Sequence, residues 1–344
     1  MRYPIIALLA GLLFTLSACQ KSEFLSEGDF FHLDHDGSRM PIWVKGNFNS
    51  DVILLTLHGG PGGEGMTFHL SNGFKMLEED YLCVYWDQRF SGMAQGHTDV
   101  STLHPDQFIE DTEKVVQLIQ HKYPGKKLFI LGHSWGGQLS AGYLGRDNHD
   151  DNFRGWINLD GSIFGELEAQ LMKEWIMERI PDKMADPNAD HAFWQYIIDW
   201  YEANPAPGNN EPQPYWYVSA FGGDAYNWEQ TQAENPIPYG ELIFRSMFSM
   251  SFYIYSFGQK EHIQAWDELD YTPELANITI PSLMLWGAED GIVPTGVAHY
   301  VYEHLGTPEA DKEVLLIPEC GHSPQNDQPE AFYQEMRDFM ERYK

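Results

Sequence analysis

The sequence predicts an α/β protein with a mostly parallel, twisted sheet flanked by helices and an inserted, mainly helical segment. Three observations carry this. Short apolar runs, read as buried strands, alternate with stretches of helical periodicity, the pattern of parallel βα units. One such run, Lys127-Leu128-Phe129-Ile130-Leu131, leads directly into Gly132-His133-Ser134-Trp135-Gly136 and then a helix-like stretch from Gly137 to Leu144. Between about Ile163 and Tyr271 the alternation stops, and Trp, Tyr and Pro/Asn/Gly loops replace it.

Taken in order, residues 1–18 read as a signal peptide and 19–28 as a tether. Arg2 gives a minimal basic start, Ile5 to Leu16 is almost wholly apolar, and Leu16-Ser17-Ala18-Cys19 closes the run. The run is too short for a comfortable membrane span and suits a signal core. Residues 29–161 form the first part of the core. It opens with a hairpin from Phe30 to Phe48 that turns at Asp36-Gly37-Ser38. The strand Val52–Leu57 is followed by the strand Tyr81–Trp86. A helix over Pro105–Tyr123 places Phe108, Val115, Leu118 and Ile119 on one face. The strand before Ser134, its helix and the strand Gly155–Leu159 complete this part. Residues 162–272 read as a helical cap, whose aromatics either line a pocket or pack the cap together. Residues 273–344 resume the core with the strands Pro281–Gly287 and Glu313–Pro318 and the helix Pro329–Tyr343.

The strand–turn–helix setting of Gly-x-Ser-x-Gly is that of a nucleophile elbow, in which a tight, strained turn lifts a serine hydroxyl above the sheet. Acyl transfer by serine needs a base, an acid to orient it, and donors for the oxyanion. In this setting the chain order is serine, acid, histidine. Downstream, Trp286-Gly287-Ala288-Glu289-Asp290-Gly291 opens a polar loop after a strand, and Cys320-Gly321-His322 follows the last strand. Asp290 is the expected acid and His322 the expected base. Glu289 and Asp160, which ends the strand Gly155–Leu159, are the alternative acids. Asp87 precedes the elbow and breaks the order. After Leu57 comes His58-Gly59-Gly60-Pro61-Gly62-Gly63, where glycines let a backbone N–H turn inward. Gly60 and Trp135 are the expected oxyanion donors. His58 is expected to brace this loop, whereas His32, His35, His97, His104, His149 and His191 lie in polar stretches and read as surface residues.

The chain of 344 residues has 51 acidic against 21 basic side chains, a formal charge of −30. Such a field repels nucleic acid and anionic surfaces, and no nucleic-acid partner is expected. Its 43% apolar content is enough for a large core. Cys83 reads as a small buried hydrophobe, and nothing in the order of elements pairs it with Cys320. No Cys or His cluster has metal-ligand spacing, and no metal or cofactor is expected.

These residues together resemble the α/β-hydrolase superfamily, from about residue 30 onward. Within it His58-Gly59-Gly60-Pro61-Gly62, Asp87-Gln88-Arg89 and Gly-x-Ser134-Trp135-Gly look like the proline iminopeptidase (prolyl aminopeptidase) group. The resemblance implies Ser134 as nucleophile, His322 as general base then acid, and Asp290 as its orienting acid. It also implies cap carboxylates that bind a substrate's free amine. Ala225-Tyr226-Asn227-Trp228-Glu229 is a near match to the group's cap signature, so Glu229 is a candidate amine anchor and Glu241 a weaker second. Two departures stand out. Phe90 follows Arg89 where the group has glycine, and the cap signature is shortened. The expected substrate is a short peptide with a free, preferably prolyl, N-terminus. A carboxylesterase or amidase on the same triad is the alternative, followed by an inactive lipid-anchored binding protein. Epoxide hydrolases and dehalogenases resemble this fold with Asp at the elbow and are disfavoured. Leu16-Ser17-Ala18-Cys19 resembles the lipobox of bacterial lipoproteins, which implies lipidation at Cys19. It places the chain in the bacterial cell envelope, anchored by lipid, with Gln20 pointing to the outer membrane, facing the periplasm or the exterior.

Overall fold

The protein's structure, a computed structural model, describes residues 28–205, 212–226, 233, 266 and 268–344. Cys19, Glu229 and Glu241 lie outside the described residues.

Among the described residues nine strands form one sheet: β1 (Asp29–His35), β2 (Ser38–Gly46), β3 (Val52–Leu57), β4 (Leu82–Trp86), β5 (Gln95–Gly96), β6 (Lys127–His133), β7 (Gly155–Leu159), β8 (Ser282–Gly287) and β9 (Lys312–Ile317). Their order is β1-β2-β4-β3-β6-β7-β8-β9, with β5 on β2. The hairpin turns at Asp36 and Gly37, both at positive φ, and β1, β2 and β4 pair antiparallel. Along the path β4-β3-β6-β7-β8-β9 every pairing is parallel. Residues of β3, β4, β7 and β8 are buried throughout, as expected for parallel strands covered on both faces. The chain leaves β3 towards β4 and returns to the opposite side at β6, so the strand order reverses between β3 and β6. Ligands of open α/β sheets bind at such a switch point, outside the carboxyl ends of the strands.

Helices cover both faces. The helix α1 (Asn72–Asp80) joins β3 to β4, and α2 (Pro105–Lys122) precedes β6. α2 starts on Pro105, carries Asp106 in its first turn and His121 and Lys122 in its last, and buries Phe108, Ile109, Thr112, Val115, Val116 and Ile119. Those end charges complement the helix dipole. α3 (Trp135–Leu144) is buried along its whole length. The C-terminal helix, which buries Phe332, Met336, Phe339 and Met340, lies on the other face, where Phe332 packs 5.4 Å from Phe74 and Phe339 lies 6.3 Å from Phe129. Each such side chain stabilises the fold by about 1.5–3 kcal/mol through burial.

Three departures from the sequence reading stand out, two in connections and one in the setting of two histidines. Strand does not follow strand between Leu57 and Tyr81. The helix α1 intervenes, with Phe74 and Leu77 buried and Ser71 capping it through the Phe74 N–H. Two large apolar residues and a Glu78-Glu79-Asp80 end give too weak a periodicity to see. The helix Gly296–His304, buried through Val297, Ala298 and Val301, was also missed. His35 and His149 are not plain surface residues. His35 Nδ1 lies 2.7 Å from the buried Asp111, and His149 stacks on Tyr143 with ring centroids 4.3 Å apart.

The described part of the inserted segment is helical: α4 (Gly165–Ala185), α5 (His191–Ala203) and α6 (Pro212–Phe221). Met172, Trp175, Ile176, Ile180, Trp194, Ile197, Tyr201, Tyr217 and Val218 form its own core. Most of its large aromatics are therefore used in packing. Trp216 is an exception at 66% exposed. This segment is fastened to the β8 loop by the Gly291 N–H donating to the Gly223 carbonyl at 3.0 Å, and by an Arg179–Glu289 ion pair at 3.1 Å. Among the described residues no helix is long and apolar enough to cross a membrane.

Candidate active site

The sequence-predicted site residues within the described chain sit on loops after adjacent parallel strands. β3 and β6 pair as far as Leu57 opposite Gly132, β6 and β7 as far as His133 opposite Leu159, and β8 and β9 as far as Gly287 opposite Ile317. The His58–Gly63 loop, the Ser134 turn, Asp160, Asp290 and His322 thus emerge from neighbouring strand ends.

Ser134 has φ 56° and ψ −124°, conformations a non-glycine residue occupies only under strain. Its surroundings enforce them. Its N–H donates to Leu159 O at 3.2 Å, and its carbonyl accepts from Gly137 N at 2.8 Å and Ser162 N at 2.9 Å. The two flanking glycines are dictated by close approach. A Cβ on Gly132 would stand 2.2 Å from Gly136 O, and one on Gly136 would stand 2.0 Å from Leu57 O. Trp135 opens α3, so its N–H lies in the helix's first turn, where backbone donors lack partners within the helix.

Gly60 has φ 124°, and a Cβ there would stand 2.6 Å from Gly62 N. The loop is held from behind by His58. The Gln88 N–H donates to His58 Nε2 at 3.1 Å, so His58 Nδ1 carries the proton and donates to Gly59 O at 2.8 Å. Burial pulls the His58 pKa down to about 4 and keeps the ring neutral. The Gln88 amide then joins two motifs. Its Nε2 donates to His58 O at 3.1 Å, and its Oε1 accepts from the Trp135 indole at 3.0 Å. Asp87 receives the Gly65 N–H at 2.7 Å and the Met93 N–H at 2.8 Å. Arg89 is fully buried and paired with Asp111. Asp87 and Gln88 therefore frame the glycine loop and the serine turn while Arg89 ties the same segment to α2, a role with no local signal in sequence. Phe90, where the resembling group has glycine, takes φ 57°, the left-handed region that glycine enters without cost.

His322 Nδ1 lies 2.8 Å from Asp290 Oδ2. A carboxylate oxygen only accepts, so Nδ1 holds the proton and Nε2 is the free lone pair. Asp290 Oδ1 accepts from Ile292 N at 2.8 Å and Val293 N at 3.1 Å. Of the alternative acids, Glu289 turns away to Arg179. Asp160 lies behind Asp290, its Oδ1 taking the Gly287 N–H at 2.8 Å. The His322 backbone is fixed from both sides. Its N–H donates to Asp224 O at 3.1 Å, and its carbonyl accepts from His133 Nε2 at 2.8 Å, the two rings standing 4.9 Å apart. His133, the residue before Ser134, thus ties the elbow to the His322 loop.

Burial dominates the electrostatics. It pulls the His322 pKa down to about 4, opposed by the Glu168 and Asp224 charges. Burial likewise takes His133 down to about 3, helped by His322. Glu168 is buried at the start of α4, its carboxylate accepting from Ser162 Oγ and Ile163 N at 2.6 Å each and from Phe164 N at 3.1 Å. Sequence reasoning missed Gln88, Asp224 and His133, whose partners lie far away in the chain, and Glu168, whose bonds are local but whose charge acts on the distant His322. Cys83 and Cys320 are free and buried.

A backbone-strained serine above a switch point, with an oriented imidazole on the loop that His133 ties to the serine turn, is the kind of arrangement in which a hydroxyl can be deprotonated and made nucleophilic. The chain belongs to the alpha/beta hydrolase fold family, whose pattern matches residues 52–329, and it is a hydrolase of that family. It is 24% identical over 303 residues to a Bacillus subtilis protein named "Probable aminopeptidase YbaC", covering 86% of this chain and 91% of that one. A proline iminopeptidase of Lactobacillus acidophilus is 22% identical over 298 residues, covering 81% of this chain and 86% of its own. Among solved structures, proline iminopeptidase from Mycobacterium smegmatis superimposes with a TM-score of 0.67 at 16% identity, over 92% of this chain and 98% of that one.

Proposed function

We propose that the protein is a serine aminopeptidase that releases N-terminal residues, proline among them, from short peptides through an acyl-enzyme. The observation that carries the reading is the His322–Asp290 hydrogen bond of 2.8 Å beside the strained Ser134 turn. In this reading His322 Nε2 takes the Ser134 hydroxyl proton as Oγ attacks the scissile carbonyl. Asp290 stabilises the resulting imidazolium. The oxyanion is received by the N–H groups of Gly60 and Trp135, each such donor contributing about 2.7–4 kcal/mol. His322 returns the proton to the departing amine, and water then repeats the sequence on the ester.

Recognition of a free amine is the finer part of the reading. It is supported by the resemblance of Glu229, with Glu241 second, to cap carboxylates. It is also supported by the negative charge that Glu168 and Asp224 exert on His322, a field that favours an ammonium at the mouth of the site. The relatives named as proline iminopeptidases point the same way. Lipidation at Cys19, and with it anchoring to the bacterial outer membrane, is proposed from the Leu16-Ser17-Ala18-Cys19 sequence.

The test is a panel of prolyl and alanyl arylamides, the same compounds N-acylated, and short p-nitrophenyl esters. Cleavage of the free amines with loss of more than about tenfold in kcat/KM on acylation supports the aminopeptidase. Equal rates on free and acylated compounds, or turnover of esters alone, replace it with an amidase or esterase.

A further inference from the structure

We propose that Asp160 is a proton-bearing positioning residue, whose protonated carboxyl donates to Asp290 and holds that carboxylate against His322. The proposal rests on the Ser134–His322–Asp290 reading above and adds a member to it.

The geometry sets two carboxyl groups in one closed space. Asp160 and Asp290 are both 0% exposed. One ligating atom from each of Asp160, Asp290 and His322 lies within 4.8 Å of the other two. Two fully buried carboxylates so placed cannot both stay ionised, and one keeps a proton. The hydrogen bonds decide which. Asp290 receives three donors, from Ile292 N, Val293 N and His322 Nδ1. Asp160 receives one, the Gly287 N–H on Oδ1, and its buried Oδ2 meets no donor among the described residues. Donors stabilise the charged form, so the charge rests on Asp290 and the proton on Asp160 Oδ2. A protonated Oδ2 has one acceptor beside it, the Asp290 carboxylate, and the bond satisfies an otherwise orphaned atom.

The neighbouring charges agree. Glu168 from α4 presses on Asp290, and Asp327 from the segment after β9 presses on Asp160. Both are acidic and oppose a second negative charge. Cys320 feels Asp160 from the same segment, and burial pushes its thiol up, so it stays neutral. His322 is the one group facing the pair that gains a positive charge during turnover. Burial first, and the Asp290 charge second, push the Asp160 carboxyl well above the usual range. Asp160 itself is held at φ 43°, with its N–H on Leu285 O at 3.0 Å. It thereby spans the ends of β7 and β8. A purely structural staple needs only the Gly287 bond, and that is the reading to be separated from this one.

Infrared spectra of the full chain in D2O, together with pH–rate profiles on a p-nitrophenyl ester, separate them. A protonated-carboxyl C=O stretch should be present at neutral pH in wild type and absent in Asp160→Asn. Asn keeps both bonds, with Oδ1 accepting from Gly287 and Nδ2 donating to Asp290, so kcat should stay within about threefold of wild type. The alkaline fall in rate caused by loss of the shared proton should disappear in the same variant. Asp160→Ala should lose about 10- to 100-fold in kcat with KM unchanged. If that variant does not fold, the comparison of wild type with Asn still decides. A neutral-pH spectrum without the band, or a band that survives in Asp160→Asn, overturns the proposal. An inactive wild type that shows the band overturns the hydrolase mechanism and leaves the shared proton standing.

Discussion

The Trp135 indole donates to Gln88 Oε1 at 3.0 Å, and through it the serine turn is fixed to the glycine loop. Gln88 also donates to His58 O at 3.1 Å, so one side chain sets the spacing between the two backbone segments to which we assign the oxyanion donors. Gln88→Ala is expected to lower kcat by about 10- to 100-fold, because an angstrom of misplacement at such a site costs about that much. Folding should be nearly unaffected in cooperativity, and KM should change less than kcat. Steady-state kinetics on any accepted substrate checks this, and an unchanged kcat would show that the two segments hold their spacing without it.

The imidazole that acts as base must be neutral at the start of the cycle. Burial holds the His322 pKa at about 4, and the Glu168 carboxylate opposes that pull. The acid limb of kcat/KM should therefore lie below the ordinary imidazole value of about 6.5. Glu168→Gln removes a charge that favours imidazolium and should move the limb further down. Gln can keep the Ile163 and Phe164 N–H bonds through its oxygen and meet Ser162 Oγ with its amide. A limb that stays in place or moves up in the variant contradicts this electrostatic assignment.

His133 makes a prediction about stability. Its pKa is lowered by burial to about 3 in the folded chain. The unfolded imidazole takes a proton near pH 6.5 while the folded one does not, so its contribution is full above about 6.5 and is lost as pH falls towards the folded value. One such group adds a slope of about 1.4 kcal/mol per pH unit over that window. His133→Gln retains a donor for His322 O and removes the titration. Urea unfolding of both proteins at pH 7 and pH 5 should show a smaller loss for the variant. Equal losses would mean that His133 is protonated in the folded state.

Strands and site residues were legible for the same reason. Fully buried parallel strands are unbroken apolar runs, and each expected catalytic residue comes directly after one. Hence Ser134, Asp290 and His322 could be placed from local sequence, and the hairpin turn at Asp36-Gly37 from its turn residues. The supporting residues could not. Gln88 and Trp135 are 47 positions apart, and His133 and the His322 carbonyl are 189 apart. Their contacts exist only once the strand order is fixed. Asp160 shows the limit most clearly. The sequence offered it as an alternative to Asp290, whereas the fold puts both in one buried pocket and gives His322 to Asp290. The helix Asn72–Asp80 escaped because its burial rests on Phe74 and Leu77 with little periodic support.

The proposed chemistry stands or falls with Ser134 as the nucleophile. Intact-mass spectrometry after treatment with an alkyl fluorophosphonate tests it most directly, since such reagents capture activated serines whatever the natural substrate. One adduct per chain is expected, mapped to the peptide carrying Ser134, with none in Ser134→Ala and slower capture in His322→Ala. An adduct on another residue, or undiminished labelling of Ser134→Ala, would contradict it.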